Sequence, residues 1–223
     1  MSHAIVCCGV GGWYEMGAVA LKASLMRNHF RGAMYIHVGE YPPGSPTHQD
    51  VPYAFKLMAI EHARNQGHQQ VLWLDASAWA IGKLDPVFNR IEEDGHYFWT
   101  SGFNCAQWCN DRSLAYFGVT REQAAQMEML YALVIGLDFQ SDRTCEFFEK
   151  WKKAGAEGVF NGSWKREPGD QEAEPYCGHR HDQSAASIIA HQLGMGIDGT
   201  MDLCRLYQPN AMPGSVALTF QGL

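Results

Sequence analysis

The feature that most constrains the fold of this 223-residue chain is an alternation of short apolar runs with longer segments of helical periodicity. Apolar runs at 4–8, 33–38 and 70–74 are each followed, after a turn or loop, by a helical pattern. Such an alternation is typical of a parallel sheet covered by helices. It predicts an α/β fold with a mixed, mainly parallel central sheet flanked by helices, in a single domain over residues 1–223.

Local signals set several element boundaries in this prediction. Asp85 is expected to cap the helix that Pro86 begins. A Thr-x-x-Gln capping box that starts at Thr120 introduces helical periodicity over 121–130, and 131–139 then has the pattern of a strand. The pattern of the first half of the chain therefore continues into the second.

The segment 155–178 is the least regular part of the sequence. It combines glycine, proline and acidic residues with Trp164 and Tyr176. Loops of this length in compact domains are commonly lids or binding loops. We therefore expect this segment to cover a substrate.

Composition excludes several broad functions. Seventeen Lys and Arg against twenty-four Asp and Glu give a net charge of −7, which argues against sequence-blind binding to a polyanion. The richest basic cluster has the pattern of a solvated surface; it comprises Lys150, Lys152, Lys153, Lys165 and Arg166. No window has the apolar length of a membrane helix, and the N-terminus lacks the plan of a signal peptide. These features predict a cytoplasmic protein with no membrane partner.

The cysteines give no strong metal or disulfide signal. Seven scattered cysteines are expected to be reduced thiols. A zinc site would have to combine distant residues that lack the compact Cys-x-x-Cys spacing: Cys105, Cys109, Cys177, His179 and His181. Ordinary packing is therefore expected rather than a zinc site.

A polar pair follows the third apolar run, in the sequence Trp73-Leu74-Asp75-Ala76-Ser77. In open α/β sheets, ligands bind beyond the carboxyl ends of the strands. Carboxylate and hydroxyl oxygens suit a hard cation such as magnesium or manganese, which Asp75 and Ser77 would anchor. The alternative is an Asp that only caps the next turn.

A longer pattern surrounds this pair. The stretch 71–77, followed by Leu-Asp-Pro-Val-Phe at 84–88, resembles the metal-binding strand end of GT-A-fold glycosyltransferases, where an Asp-x-Asp motif ends a hydrophobic strand. Residues 179–184 are similar to the Asp-Gln opening of a late helix in these families, and 53–56 also fits their pattern. The resemblance covers about residues 4–193. The second Asp of the motif is a serine here, and a hydroxyl is a weaker ligand than a carboxylate.

The resemblance implies a Rossmann-like GT-A fold and transfer of a hexosyl or pentosyl group from a nucleotide sugar, most readily a UDP-sugar, to an acceptor hydroxyl. A divalent cation, manganese or magnesium, would be held by Asp75, Ser77 and His181. Glycines would let the backbone approach the nucleotide, an aromatic ring would stack on its base, and a lysine would offset phosphate charge. The residues expected to bind the donor and cofactor are Gly9, Gly11, Gly12, Trp13, Tyr14, Lys56, Asp75, Ala76 and Ser77.

Catalysis is expected from the start of the late helix. Asp182 would remove the acceptor proton or orient the hydroxyls of the donor sugar, and His181 or His179 would complete a metal or phosphate contact. The alternative for Asp182 is a simple helix N-cap. Glu128 and Asp138 are further carboxylates whose spacing assigns them no role. The acceptor is open among a saccharide, a small molecule, a protein side chain and a hydroxymethylated DNA base.

Three alternatives remain open from the sequence alone. An NAD(P)-dependent oxidoreductase would use Gly9-Val10-Gly11 as a dinucleotide fingerprint with Glu40 on the ribose, but Tyr14 stands where the third glycine should be. A non-catalytic nucleotide- or sugar-binding module on the same fold is the second, with Ser77 marking a lost metal site. A purely structural α/β domain is the third, which the aromatic-rich irregular loop and the polar strand end disfavour.

Overall fold

A five-stranded sheet lies at the centre of the computed structural model, which describes residues 2–206 and 217–220. In chain order the described strands are β1 His3–Gly9, β2 Ala33–Val38, β3 Gln70–Leu74, β4 Ala78–Ala80, β5 His96–Asn104, β6 Glu128–Asp138, β7 Cys204–Leu206 and β8 Leu218–Phe220. The described helices are α1 Trp13–Arg27, α2 Ala54–Asn65, α3 Asp85–Asp94, α4 Cys105–Trp108, α5 Asp111–Phe117, α6 Arg121–Ala124, α7 Asp142–Ala156 and α8 His181–Gln192. None of them has the length and apolar character needed to cross a bilayer.

The central sheet has the strand order β2-β1-β3-β6-β5. Strand β1 pairs in parallel with β2 and β3, whereas β6 is antiparallel to both β3 and β5. Four of the five strands therefore point the same way, which confirms the predicted mixed, mainly parallel sheet. A second sheet of three short strands has the order β4-β8-β7.

Apolar side chains cover both faces of the central sheet. On one face Trp73 packs with Phe147 and Trp151 in a core that also includes buried residues of α2 and α8. On the other face Leu72 packs with Leu21 of α1, and the core extends to α3 and the small sheet. This burial explains why β3 is apolar on both sides, since a strand between two helical layers has no solvent face.

Two boundaries differ from the sequence prediction. Residues 128–130, which were expected to end a helix, begin β6: Leu130 is opposite Thr100 of β5 and is fully buried. The Thr120 capping box is confirmed, but its helix, α6, ends at Ala124. Asp85 is the first residue of α3, whose N-cap is Leu84. At 128–130 the pairing with β5 overrides the local helix signal.

Close packing of α1 against the turn after β3 requires a glycine in the helix. A Cβ at Gly17 would lie 2.2 Å from the carbonyl oxygen of Ala76. Gly17→Ala gains about 1 kcal/mol of helix propensity but overpacks this contact at a cost of about 1–3 kcal/mol. We expect a net loss in the free energy of unfolding, measured by urea denaturation. Gly199→Ala, which has open space around its Cβ, is the matched control; equal stabilities for the two variants would contradict this packing.

Candidate functional site

A cavity of about 290 Å³ opens at the carboxyl ends of β1 and β3. A second cavity of about 260 Å³ shares Tyr14, Tyr53 and Asp75 with it, so the two adjoin. The first is walled by residues from seven separate parts of the chain: Tyr14, Tyr53, Lys56, Asp75, Ser101, Phe103, Tyr131, Ala132, Leu133, Trp164, Arg180, Asp182 and Gln183. The cavity lies beyond the carboxyl ends of the strands, where the strand-end motif predicts that a ligand binds.

Asp75 is held at this edge by its backbone and one of its carboxylate oxygens. Its N–H donates to the carbonyl of Leu133 at 2.9 Å, and its Oδ1 accepts from the N–H of Ser77 at 2.9 Å. Within the described residues, no donor reaches its Oδ2. Asp75 is half-buried, whereas Ala76 and Ser77 are buried and do not line the cavity. Asp75 therefore both stabilises the turn and presents a carboxylate oxygen to the cavity.

The turn after β1 has the conformation that its glycines permit. A Cβ at Gly9 would lie 2.2 Å from the carbonyl oxygen of Tyr14, and Gly11 and Gly12 have φ angles of 81° and 56°. The rings of Trp13 and Tyr14 stack with centroids 4.0 Å apart, and each residue is 39% exposed. A stacked, solvent-accessible aromatic pair beside a cavity can take up a planar ligand.

Lys56 and Asp182 form a buried ion pair across the floor of the cavity. The Lys56 ammonium lies 2.5 Å from Oδ2 of Asp182 and donates to the carbonyl of Ala132 at 2.9 Å. Both residues are nearly inaccessible, at 2% exposure each. Burial raises the pKa of the Asp182 carboxyl above its ordinary value, and the ammonium of Lys56 opposes that shift. Lys56 is therefore neither a surface lysine nor a free phosphate ligand.

Asp182 lies inside α8, whose N-cap is Arg180, so it does not act as the N-cap. His181 precedes it with a left-handed φ of 51°, and Tyr53 at the start of α2 has a φ of 60°. Left-handed backbone is uncommon for residues other than glycine, and such strain concentrates at functional sites. The two strained residues flank the Lys56–Asp182 pair, and their rings lie 5.5 Å apart.

The His181 ring is enclosed by protein groups. Its Nδ1 is 2.8 Å from the carbonyl oxygen of Phe160, and the ring stacks on Trp164 at 5.7 Å. Burial lowers the pKa of His181, so the neutral imidazole is favoured. His181 is not among the residues that line the cavity with Asp75.

The positions of Asp75, Ser77 and His181 show whether the residues of this chain could hold a divalent cation. Magnesium and manganese prefer about six oxygen ligands. Of Asp75, Ser77 and His181, only Asp75 lines the cavity, and the buried Ser77 hydroxyl has no hydrogen-bond partner in the described part of the chain. Over residues 2–206 and 217–220, no three His, Cys, Asp or Glu side chains converge on one point. This donor set does not fit a cation held by the protein alone.

The other candidate zinc ligands do not form a site. Cys105 and Cys109 are buried, whereas Cys177 is exposed. His179 is fully buried: its Nδ1 accepts from the N–H of Asn110 at 3.4 Å, and its Nε2 is 2.9 Å from the carbonyl oxygen of Val159. Both ring nitrogens of this histidine are thus used to join segments of the fold.

Glu128 and Asp138, to which the sequence assigns no role, lie at opposite ends of β6. Glu128, at the start of the strand, pairs with the Thr100 hydroxyl. Asp138 ends the strand opposite Gln70, at the other edge of the sheet from Asp75, and accepts from the Gln70 amide at 3.2 Å. Neither lines the cavity.

Acid should destabilise the fold through His179. Burial lowers the pKa of this imidazole to about 3, whereas an unfolded histidine titrates near 6.5. The stability that the neutral ring contributes is therefore complete above pH 6.5 and is lost progressively as the pH falls toward 3. The loss is about 2 kcal/mol at pH 5.

This loss is measured as the free energy of unfolding in urea between pH 7 and pH 5. His179→Gln should flatten the pH dependence, even though it lowers stability at pH 7. Equal slopes for the variant and the wild type would remove His179 as the source.

Several cavity residues were not assigned a role from the sequence. Tyr131, Phe103 and Gln183 reach the cavity from β6, β5 and α8, and Arg180 and Trp164 complete the wall. The one available signal was the seven Trp and nine Tyr of the composition, which exceed ordinary packing needs. Spacing alone does not show which rings converge.

No protein-family model and no curated protein matches this chain. Among solved structures, mouse xyloside xylosyltransferase 1 in its apo form matches with a TM-score of 0.54 and 10% identity, over 99% of this chain and 98% of that one. A glycosyltransferase involved in glycosylation of the major capsid of PBCV-1 matches with a TM-score of 0.52 and 12% identity, over 99% and 92%. An active-site mutant of LgtC matches with a TM-score of 0.51 and 11% identity, over 97% and 86%.

At these identities the likeness concerns the fold. The matches extend over nearly the whole of this chain, so the likeness spans the central sheet and the helices on both of its faces. The chain therefore has the GT-A glycosyltransferase fold that its strand-end and late-helix motifs predicted.

Proposed function

We propose that this chain is a glycosyltransferase that moves a sugar from a nucleotide-sugar donor to an acceptor hydroxyl. One observation carries the proposal: in this fold, the cavity at the strand ends combines the open carboxylate oxygen of Asp75, the buried Lys56–Asp182 pair and Tyr14 of the exposed aromatic stack. Carboxylates accept hydrogen bonds from sugar hydroxyls, and aromatic rings stack on bases and sugar faces.

The donor is proposed to lie along the two adjoining cavities. Its base, uracil in a UDP-sugar, stacks near Trp13 and Tyr14, and its sugar reaches Asp182. Tyr14 and Asp75 line both cavities, which supports a ligand that bridges them. The glycine turn beside Tyr14 brings backbone close to such a ligand.

The transfer step uses Asp182 as base and Lys56 as its positioning residue. The bond between the anomeric carbon and the diphosphate oxygen breaks with its electron pair on that oxygen, while the acceptor oxygen bonds to the same carbon. The acceptor proton passes to the Asp182 carboxylate, which returns it to water. Burial raises the pKa of this carboxyl, which makes it a stronger base than a solvated aspartate.

The acceptor is proposed to be a saccharide or another small hydroxyl compound. Tyr131, Phe103 and Trp164 give the cavity an aromatic wall that suits the apolar face of a sugar ring. A DNA acceptor is disfavoured because the lysines of the basic cluster on α7 pair with carboxylates, as in Lys152–Glu61 and Lys153–Glu157. Segment 155–178, which contributes Trp164, is proposed to cover the bound substrate.

A thermal-shift screen tests this function. Purified protein is melted with UDP, GDP, UDP-sugars and NAD(P)H, each with EDTA and with manganese. A ligand that binds the folded state raises Tm by mass action. A shift with a nucleoside diphosphate or its sugar supports the proposal, whereas a shift with NAD(P)H alone would replace it with the oxidoreductase alternative. Binding without donor hydrolysis would favour the non-catalytic module.

A further inference from the structure

Among the described residues, the cationic side chain of Arg180 lines the cavity without an anionic partner. The ammonium of Lys56 is used by Asp182. Arg180 also lines the cavity, and in the described part of the chain its guanidinium makes no ion pair and donates no hydrogen bond. Five N–H donors on a half-buried guanidinium carry a desolvation cost that an anionic ligand would offset.

Two indoles hold the Arg180 guanidinium in place. Its Cζ lies 3.9 Å from the ring centroid of Trp108 and 3.9 Å from that of Trp164. Stacking on both faces fixes the plane of the guanidinium and leaves its N–H edges free. Over the residues that the structure describes, no carboxylate forms an ion pair with Arg180, and the phenols of Tyr131 and Tyr53 line the same cavity.

Backbone contacts hold the segments that carry Trp108 and Trp164 close to Arg180. The Arg180 N–H donates to the carbonyl of Trp108 at 3.1 Å, and the His179 N–H donates to the carbonyl of Ser163 at 2.7 Å. A Cβ at Gly178 would lie 2.3 Å from the Trp164 carbonyl oxygen. Glycine at this position therefore allows the segment that carries Trp164 to reach the guanidinium.

We propose that Arg180 binds the diphosphate of the donor directly, in the role that the sequence resemblance gives to a protein-held divalent cation; this inference rests on the proposed function. A planar guanidinium fork bonds two phosphate oxygens at once. When the sugar leaves, negative charge grows on the diphosphate oxygen, and a preorganised cation beside it stabilises that charge. Asp75, which supplies only one carboxylate, then contacts donor hydroxyls.

Isothermal titration with three probes in EDTA tests this assignment: UDP, uridine and inorganic pyrophosphate. We expect wild type to bind UDP without metal, and Arg180→Ala to bind it about 10- to 100-fold more weakly with unchanged affinity for uridine. Arg180→Lys should recover little, because an ammonium neither stacks between indoles nor forms a fork. Arg90→Ala, on the surface of α3 and paired with Asp94, is the matched control.

The outcomes separate this inference from the function on which it rests. Equal UDP affinity for wild type and Arg180→Ala, or UDP binding by wild type only with manganese, would overturn the Arg180 assignment and leave the glycosyltransferase proposal standing. Arg180-dependent binding of pyrophosphate with no nucleotide binding would support the anion site and overturn the function. Tm values of the arginine variants check folding, and the lysine variant keeps the charge if the alanine variant unfolds.

Discussion

Asp182→Asn is expected to lower the free energy of unfolding by about 3–5 kcal/mol. The substitution leaves the Lys56 ammonium buried without its partner, at a site where it is 2% exposed. An uncompensated buried charge costs far more than the net contribution of the intact pair. Guanidinium denaturation with a fixed m-value measures the loss.

A double-mutant cycle isolates the coupling between the two residues. Lys56→Met combined with Asp182→Asn removes both charges, so the double variant should be more stable than the sum of the single losses predicts. The matched control is Glu149→Gln, which breaks the exposed Arg64–Glu149 pair at 3.0 Å and should cost less than about 1 kcal/mol. Similar losses for Asp182→Asn and Glu149→Gln would contradict the buried-pair interpretation.

Asp75→Asn is expected to reduce donor affinity about 10- to 100-fold while Tm stays nearly constant. Asparagine keeps an oxygen for the N–H of Ser77, whose hydrogen bond to Oδ1 measures 2.9 Å, and removes only the charge that faces the cavity. Asp75→Ala would remove the turn contact as well, so its stability loss would mix with the binding loss.

Titration calorimetry with UDP and a UDP-sugar measures the affinity of Asp75→Asn. Asp94→Asn, an exposed carboxylate change on α3, controls for net charge. Unchanged donor affinity with a large drop in Tm would make Asp75 a structural cap.

The sheet was predictable because its strands carry their own signal. Residues 33–38 and 70–74 form strands with the predicted bounds, since their apolar runs end at polar or loop residues. The error at 128–130 arose because these residues lack a strand signal of their own and follow a true capping box. Only their pairing with β5 makes them a strand, and that partner is distant in sequence.

Single residues of the site could be predicted from the sequence, but the contacts between distant residues could not. Asp75 could be located because a strand end is a local feature. The partner of Lys56 lies 126 residues away, so the sequence could not show that its charge is already matched. The Trp108–Arg180–Trp164 sandwich likewise joins three separate segments. Convergence of distant side chains is a tertiary property that spacing does not encode.

Release of nucleoside diphosphate from a nucleotide sugar tests the central claim most directly. Wild type, Asp75→Asn and Asp182→Asn are incubated with UDP-sugars and a mixture of mono- and disaccharides, at a temperature where all three are folded. We predict release of UDP by wild type, faster with an acceptor present, and a strong reduction in both variants. Release at equal rates by all three proteins, or no release from any nucleotide sugar, would contradict glycosyl transfer at this cavity.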